Sequence, residues 1–177
     1  MKYLQRYKVP FSGLKNDAHV FEFDIDKRFF DEYSYSIVKD GHVQVEVRLE
    51  KQDTLMVAHF SLKGDILLSC DLCLNTYKHP ISKEEQLIIK FHGEEQINDT
   101  TEEIIVLAKN DYEIDFAPLI YEFINLSVPF NSRCSDPGKT QYCDLKVLNK
   151  IKDLERKDDP EEDYDPRWDI LKKIKNN

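Results

Sequence analysis

The chain has no apolar run of about 18 residues, the length that a transmembrane helix needs. Residues 1–13 carry basic side chains but no apolar core of signal-peptide length. The sequence also lacks a glycine-flanked serine of the nucleophile-elbow type and a His-Glu-x-x-His arrangement. These absences predict a cytoplasmic protein with no membrane partner, no small-molecule substrate and no catalytic activity.

Charge is abundant but unbalanced. Asp and Glu number 34 against 25 Lys and Arg, which gives a formal net charge of −9. Because nucleic-acid phosphates are bound by lysine and arginine side chains that release counterions, an acidic chain is a poor sequence-independent binder of nucleic acid. It is a better partner for a basic protein. With 177 residues, of which 41% are hydrophobic and 33% charged, the chain is long enough for one domain with a modest core and polar extensions.

Hydrophobic periodicity predicts an α+β fold with a mainly antiparallel β-sheet up to about residue 108, followed by a helix, a cysteine-bearing loop and short C-terminal helices. Strands are predicted where apolar and polar residues alternate or apolar residues cluster, over 19–25, 43–49, 54–63, 76–81, 85–92 and 104–107. Gly64-Asp65 is interpreted as a turn, and Pro80 or the 82–84 step as a break between strands. Residues 93–103, acidic and polar, predict a flexible loop.

Capping residues mark the predicted helices. Asp115 is a good N-cap and Pro118 falls in the first turn, so a helix is expected from there to Val128-Pro129. Asp144 is placed to cap a second helix. We predict one domain over 1–152 with a cysteine loop at 131–143, an acidic tether over 153–165, and a short helix over 166–177. Such a short helix must dock, either on its own domain or on a partner.

Cysteine is scarce, and its placement gives the strongest chemical signal in the chain. The 4 cysteines form one Cys-x-x-Cys pair and one wider pair. In a reducing compartment they are not expected to form structural disulfides. Two pairs supply the four thiolates of a closed, structural zinc site. The predicted zinc ligands are Cys70, Cys73, Cys134 and Cys143.

Other interpretations of these cysteines stay open. The wide spacing of the second pair is looser than in the usual zinc knuckle, so His79 or His92 could replace one ligand. The four thiols could also be unliganded. A redox Cys-x-x-Cys works at the start of a helix, whereas the residues after Cys73 predict a strand. Residues 137–140 end like a phosphate-binding loop, but Arg133 stands where its first glycine belongs, so we interpret them as a turn.

Basic side chains are candidates for contact with a partner or with RNA. Residues 1–15 contain no acidic residue and interleave basic with apolar side chains, which indicates either an opening edge strand or an arm that touches RNA. The predicted second helix has one basic side, and the terminal segment carries a further arginine and the tryptophan. The candidate contacts are Lys2, Arg6, Lys8, Lys146, Lys150, Lys152, Arg167 and Trp168.

Several motifs occur in a distinctive order over about residues 15–175. They are Leu62-x-Gly64-x-Ile66 leading into Cys70-x-x-Cys73-Leu74, then Ile114-Asp115-Phe116-x-Pro118-Leu119-Ile120-x-Glu122, an apolar segment ending in Pro129 before Cys134, and Asp165-Pro166-Arg167-Trp168 with Leu171. Together they resemble the YceD family, the large ribosomal RNA subunit accumulation proteins. Some members carry a second Cys-x-x-Cys where this chain has its wide pair, and many lack part of the cysteine set.

The resemblance implies a non-enzymatic factor that supports accumulation or processing of large-subunit (23S) ribosomal RNA, and therefore ribosome biogenesis. Its partner would be a ribosomal protein or a large-subunit RNA precursor. The acidic run 153–165 could imitate phosphates for a basic ribosomal protein, or the basic faces could hold RNA. The alternatives are a zinc-stabilised protein–protein adaptor unrelated to ribosomes and, more remotely, an RNA-processing nuclease, which would need a magnesium-binding carboxylate cluster.

Overall fold

A computed structural model describes residues 3–91, 104–108, 110–134 and 140–154. The fold is α+β, as predicted. The chain divides into two compact units, Met1–Cys143 and Asp144–Asn177. The predicted limits of the domain, the tether and the terminal helix stay predictions, because residues 155–177 lie outside the described ranges, as does the predicted loop 93–103. None of the described helices is long and apolar enough to cross a membrane.

The first unit is built on β-strands. They are β1 (Lys8–Val9), β2 (Ala18–Ile25), β3 (Gly41–Lys51), β4 (Leu55–Ser69), β5 (Thr76–Lys90), β6 (Ile104–Val106) and β7 (Ile114–Asp115). Five of them form a sheet in the order β2-β3-β4-β5-β6, while β1 and β7 form a separate antiparallel pair. Neighbours from β2 to β5 are antiparallel, and β6 joins β5 in parallel.

Short helices complete the fold. The α-helices are α1 (Lys27–Asp31), α2 (Ala117–Leu126) and, in the second unit, α3 (Leu145–Leu154), and 3-10 turns occupy Tyr3–Tyr7 and Thr140–Tyr142. The N-cap of α2 is Phe116 rather than the predicted Asp115, but Asp115 Oδ1 still accepts a hydrogen bond from the Ala117 N–H at 2.9 Å. Asp144 Oδ1 likewise accepts from the Lys146 N–H at 2.9 Å.

The predicted turn at Gly64-Asp65 is wrong, because β4 runs straight through it from Leu55 to Ser69. Gly64 pairs with Val43 of β3. A Cβ atom at Gly64 would collide with the His42 carbonyl oxygen and lie 2.7 Å from Val43 Cα. The glycine therefore permits a close approach of two strands, a role that glycine has inside strands as well as in turns.

The predicted break near Pro80 is also wrong, because β5 is one strand from Thr76 to Lys90. Pro80 pairs with Asp65 of β4. β6 pairs with β5 only at Ile88–Lys90, so among the described residues no strand lies on the outer side of Pro80. Proline is tolerated at such an edge because its missing N–H would have pointed away from the ladder.

The N-terminal segment belongs to the folded unit rather than extending from it. The predicted edge strand is confirmed only at Lys8–Val9, which pairs with β7. Tyr7 is fully buried, and its ring centroid lies 5.3 Å from that of Phe23 and 5.1 Å from that of Phe29.

The core lies between the inner face of the five-stranded sheet and α2. The Phe60 ring of β4 contacts Phe116, just before α2, and Phe123 within it, at centroid distances of 5.6 and 5.0 Å. All three rings are buried. Edge-to-face packing of this kind adds to the burial of apolar surface. The helix is thereby held on one face of the sheet.

Candidate metal centre

The first cysteine pair lies at the tip of the β4–β5 hairpin. Ser69 and Thr76 form the last strand pair. Beyond them the Cys70 N–H donates to the Asn75 carbonyl and the Leu74 N–H donates to the Cys70 carbonyl, both at 2.9 Å. Leu74 closes this turn in the left-handed conformation, with φ of 59°. The tight turn follows from the Cys-x-x-Cys spacing and brings both thiols to one side.

The loop that follows α2 delivers the third cysteine through two reciprocal hydrogen bonds. The Asp71 N–H donates to the Ser132 carbonyl, and the Ser132 N–H donates to Asp71 Oδ2, both at 2.7 Å. This pairing places Cys134, two residues further on, against the hairpin tip. The Cys134 N–H then donates to Cys70 Sγ at 3.4 Å.

The three sulfurs form a compact, buried cluster. Among the described residues, the metal-ligating atoms that gather within 4.8 Å of one another are the sulfurs of Cys70, Cys73 and Cys134. Sγ of Cys73 and Sγ of Cys134 are 3.4 Å apart. Ligands on a tetrahedral zinc ion with Zn–S bonds of about 2.3 Å would lie about 3.8 Å apart. The cluster therefore could hold a metal ion with little rearrangement.

The electrostatics of the thiols also suit a cation. Burial raises the pKa of the Cys70 thiol, but three backbone N–H groups outweigh burial and lower that pKa to about 7. These donors belong to Cys134, Cys73 and Leu72. Burial raises the pKa of the Cys134 thiol well above its ordinary value, and hydrogen bonds with the other thiols raise it further. A bound metal ion supplies the positive charge that deprotonates such thiols.

The fourth predicted ligand, Cys143, lies beside the cluster. It is not one of the three sulfurs that lie within 4.8 Å of one another, and the residue is only partly buried. The residue before Cys143 is tied to the hairpin tip, because the Asn75 side chain donates a hydrogen bond to the Tyr142 carbonyl at 2.8 Å. Of the two proposed substitutes, His79 lies on β5 opposite Ile66, and His92 is outside the described residues.

The redox interpretation lacks the helix it requires. Cys73 is followed by the turn at Leu74 and then by β5, so no helix begins directly after the pair to stabilise a thiolate. The phosphate-loop resemblance at 137–140 falls mostly outside the described residues, and Thr140 begins a 3-10 turn.

Sequence reasoning missed the residues that assemble the cluster. Asp71, Ser132 and Asn75 each bond to a segment more than 60 residues away, as in the Ser132–Asp71 and Asn75–Tyr142 pairs with separations of 61 and 67. The one local signal is the position of Asp71 inside the turn, because aspartate commonly bonds backbone N–H groups there. Its partner could not be identified from spacing.

The candidate contact residues are distributed over both units. Lys8 Nζ lies 2.8 Å from Glu113 Oε1 in an ion pair that raises the lysine pKa, and the Arg6 guanidinium lies over the rings of Tyr3 and Tyr7. The basic residues of α3 are exposed: Lys146, Lys150 and Lys152. The remaining candidates, Lys2, Arg167 and Trp168, lie outside the described residues.

One comparison with known proteins gave a match. A family model described as large ribosomal RNA subunit accumulation protein YceD matches residues 58–175, which is most of the chain and includes all the cysteines. No curated protein and no solved structure matches the chain. The name of the matching family suggests involvement in accumulation of large-subunit ribosomal RNA.

Proposed function

The chain belongs to the YceD family, and we propose that it is a non-enzymatic factor that supports accumulation of large-subunit ribosomal RNA by binding a basic ribosomal protein. The observation that carries the choice of partner is the formal net charge of −9. Charge of this sign speeds encounters with a basic protein and repels RNA phosphates.

The state of the N-terminal cations supports a protein partner over RNA. An RNA-binding arm needs lysine and arginine side chains free to displace counterions. Lys8 is instead neutralised by Glu113 at 2.8 Å, with both side chains partly buried. Arg6 is held over two aromatic rings. The basic residues of α3 are exposed and therefore available to RNA. Nuclease treatment in the capture experiment below tests whether RNA mediates the interaction.

Zinc has a structural role in this proposal. Cys70, Cys73 and Cys134 supply three thiolates. Cys143 is proposed as the fourth ligand, because the hydrogen bond from Asn75 to the Tyr142 carbonyl ties its loop to the hairpin tip. Four protein ligands leave no open position for a substrate or a reactive water. The ion would fasten the loop after α2 to the hairpin tip and take no part in chemistry.

The metal assignment is tested by zinc content and thermal unfolding. We expect about one zinc per chain in the parent, and loss of zinc with a lower melting temperature in Cys70→Ser. Cys143→Ser separates a four-ligand site from a three-ligand one. Ser69→Ala, an exposed change one residue outside the turn, is the control. Parent protein with far less than one zinc, together with unchanged melting of Cys70→Ser, would reject the site.

The biological role is tested by gradient sedimentation of lysates with and without the gene. We expect the protein to migrate with large-subunit precursors, and large-subunit RNA to fall relative to small-subunit RNA on deletion. Affinity capture from the same fractions identifies the partner, with nuclease treatment separating protein-mediated from RNA-mediated capture. Normal subunit ratios on deletion, and protein that stays at the top of the gradient, would refute the ribosomal role in favour of an unrelated adaptor.

A further inference from the structure

The five-stranded sheet has a second face, opposite the one that α2 covers. Among the described residues of the first unit, no element lies over this face. Antiparallel sheets often leave one face in water, with polar side chains alternating outward. Here several of the outward side chains are carboxylates. We call this surface the acidic sheet face and define it by Glu22, Asp24, Glu46, Glu50 and Glu84, four of which are exposed and one half-buried.

Strand register lines up three of these carboxylates. Glu22 of β2 lies directly opposite Glu46 of β3. Glu46 lies opposite Ser61 of β4, which lies opposite Glu84 of β5. Like charges directly opposite each other destabilise a sheet. Among the described residues, no ion pair neutralises Glu22, Glu46 or Glu84. The sheet therefore retains a row of repelling charges that folding alone would not favour.

The surface around this row is concave. A hollow of about 740 Å³ extends over β3–β5, and a second of about 260 Å³ extends over β2–β4. Glu46 and Ser61 line both hollows, so the two adjoin along the row. Their size suits side chains of a docked polypeptide.

The cations on this face do not cancel the row. Lys78 and Lys90 lie six residues to either side of Glu84 along β5, far from the row. The Arg48 guanidinium is paired with Glu50 at 2.9 Å. Lys63 lies in the neighbouring row, opposite Gln44 and Ser82. The surface is therefore still negative where Glu22, Glu46 and Glu84 lie.

We propose that the acidic sheet face binds an extended, lysine- and arginine-rich segment of a protein partner. The inference rests on the proposed function, in which that partner is a basic ribosomal protein, and it names the surface that receives it. Strands about 4.8 Å apart place Glu22, Glu46 and Glu84 along about 14 Å. An extended chain covers this distance in about four residues, so basic side chains at alternate positions can each reach a carboxylate.

The inference is tested by fluorescence anisotropy with a labelled peptide of alternating lysine and serine. The test variant is the triple change Glu22→Gln, Glu46→Gln and Glu84→Gln. The matched control changes three exposed carboxylates of the first unit away from this face, Asp31→Asn, Glu32→Gln and Glu122→Gln, and alters net charge equally. We expect the parent to bind and to weaken with rising salt, the test variant to bind at least about tenfold more weakly, and the control to change less than about twofold.

Three results would overturn the inference. The first is an equal loss of affinity in both triple variants, which would mean that net charge alone attracts the peptide. The second is unchanged affinity in the test variant. Misfolding does not confuse the outcome, because replacing Glu22 and Glu46 removes a repulsion and the test variant should melt no lower than the parent. The third result is a ribosomal RNA fragment that binds the parent but not the test variant, because the acidic sheet face would then bind RNA rather than protein.

Complementation of the deletion strain separates this inference from the proposed function. If the parent gene restores large-subunit RNA but the test variant does so equally well, the acidic sheet face is not the docking surface and the proposed function stands. If the parent gene changes no subunit ratio, the proposed function fails whatever the peptide does. Restoration by the parent and the control, but not by the test variant, supports both.

Discussion

Asp71 is the residue whose replacement tests most directly how the cysteine cluster is assembled. Its side chain accepts one hydrogen bond from the Ser132 N–H at 2.7 Å, and its own N–H makes the reciprocal bond to the Ser132 carbonyl. Changing Asp71 to Ala removes the first bond and leaves the second. Changing it to Asn keeps an oxygen acceptor of the same shape but removes the charge.

The expected loss of stability follows from these contacts. A hydrogen bond to a charged group contributes about 1.5–3 kcal/mol. Asp71 is exposed, which places its bond at the lower end, but Ser132 is buried, so its N–H would be left without a partner. We expect Asp71→Ala to lower the free energy of unfolding by about 1.5–2 kcal/mol, or about 3–8 °C in melting temperature. Asp71→Asn should lose about half as much.

The assay is denaturant unfolding together with zinc competition against a chromophoric chelator. Asp71→Ala should weaken zinc binding as well, because the loop that carries Cys134 loses one of its two links to the hairpin. Asp31→Ala, which removes an exposed carboxylate from the end of α1, is the control and should change neither property. If Asp71→Ala unfolds and binds zinc as the parent does, the reciprocal pairing does not assemble the site.

Three further predictions concern the backbone and the core. Gly64→Ala should lower the free energy of unfolding by about 3 kcal/mol or more, because its Cβ would meet the backbone of β3 at Val43. Gly13→Ala is the control and should be nearly neutral in denaturant unfolding, because nothing lies within 4 Å of a Cβ there. Leu74→Gly should raise the free energy of unfolding by about 0.5–1 kcal/mol. Relief of the left-handed φ contributes about 1–2 kcal/mol, and the greater conformational entropy of glycine in the unfolded chain offsets part of this gain. An unchanged unfolding midpoint would show that the turn is unstrained. Burial first, then nearby negative charge, raises the Tyr33 pKa from about 10 to about 12, so its contribution to stability is complete below pH 10 and is lost as pH rises through 12. Its buried hydroxyl has no hydrogen-bond partner among the described residues, so Tyr33→Phe should keep full stability at neutral pH and lose less than the parent from pH 10 to 12; parallel alkaline unfolding curves for the two proteins would contradict this.

Local pattern was enough for the fold class and for most strands, but it misjudged glycine and proline within them. Alternation over 43–49 predicted β3, and the prediction is confirmed by the strand Gly41–Lys51. Gly64 and Pro80 suggested interruptions because both residues favour turns. Their actual settings, a close approach between strands and a free sheet edge, depend on which strands become neighbours. Strand order is not encoded in periodicity.

The candidate site was predictable only where its residues are close in sequence. The Cys70/Cys73 spacing indicated a metal-binding turn, and Cys134 clusters with that pair, whereas Cys143, the fourth predicted ligand, is not among the clustered sulfurs. The pairing of Asp71 with Ser132, and the neutralisation of Lys8 by Glu113, join residues 61 and 105 positions apart. Contacts over such distances require the tertiary arrangement of the hairpin, α2 and the N-terminal segment.

The position of the cysteine cluster explains how a zinc site can be useful without being indispensable. The helix α2 is already fixed on the sheet by Phe60, Phe116 and Phe123, which are buried away from the hairpin tip. Burial of aromatic rings supplies most of the stability of such a core. A metal ion at the tip would add order to the turn and to the loop after α2. The loss of stability expected for Cys70→Ser is therefore mainly a loosening of the hairpin tip and of the loop after α2.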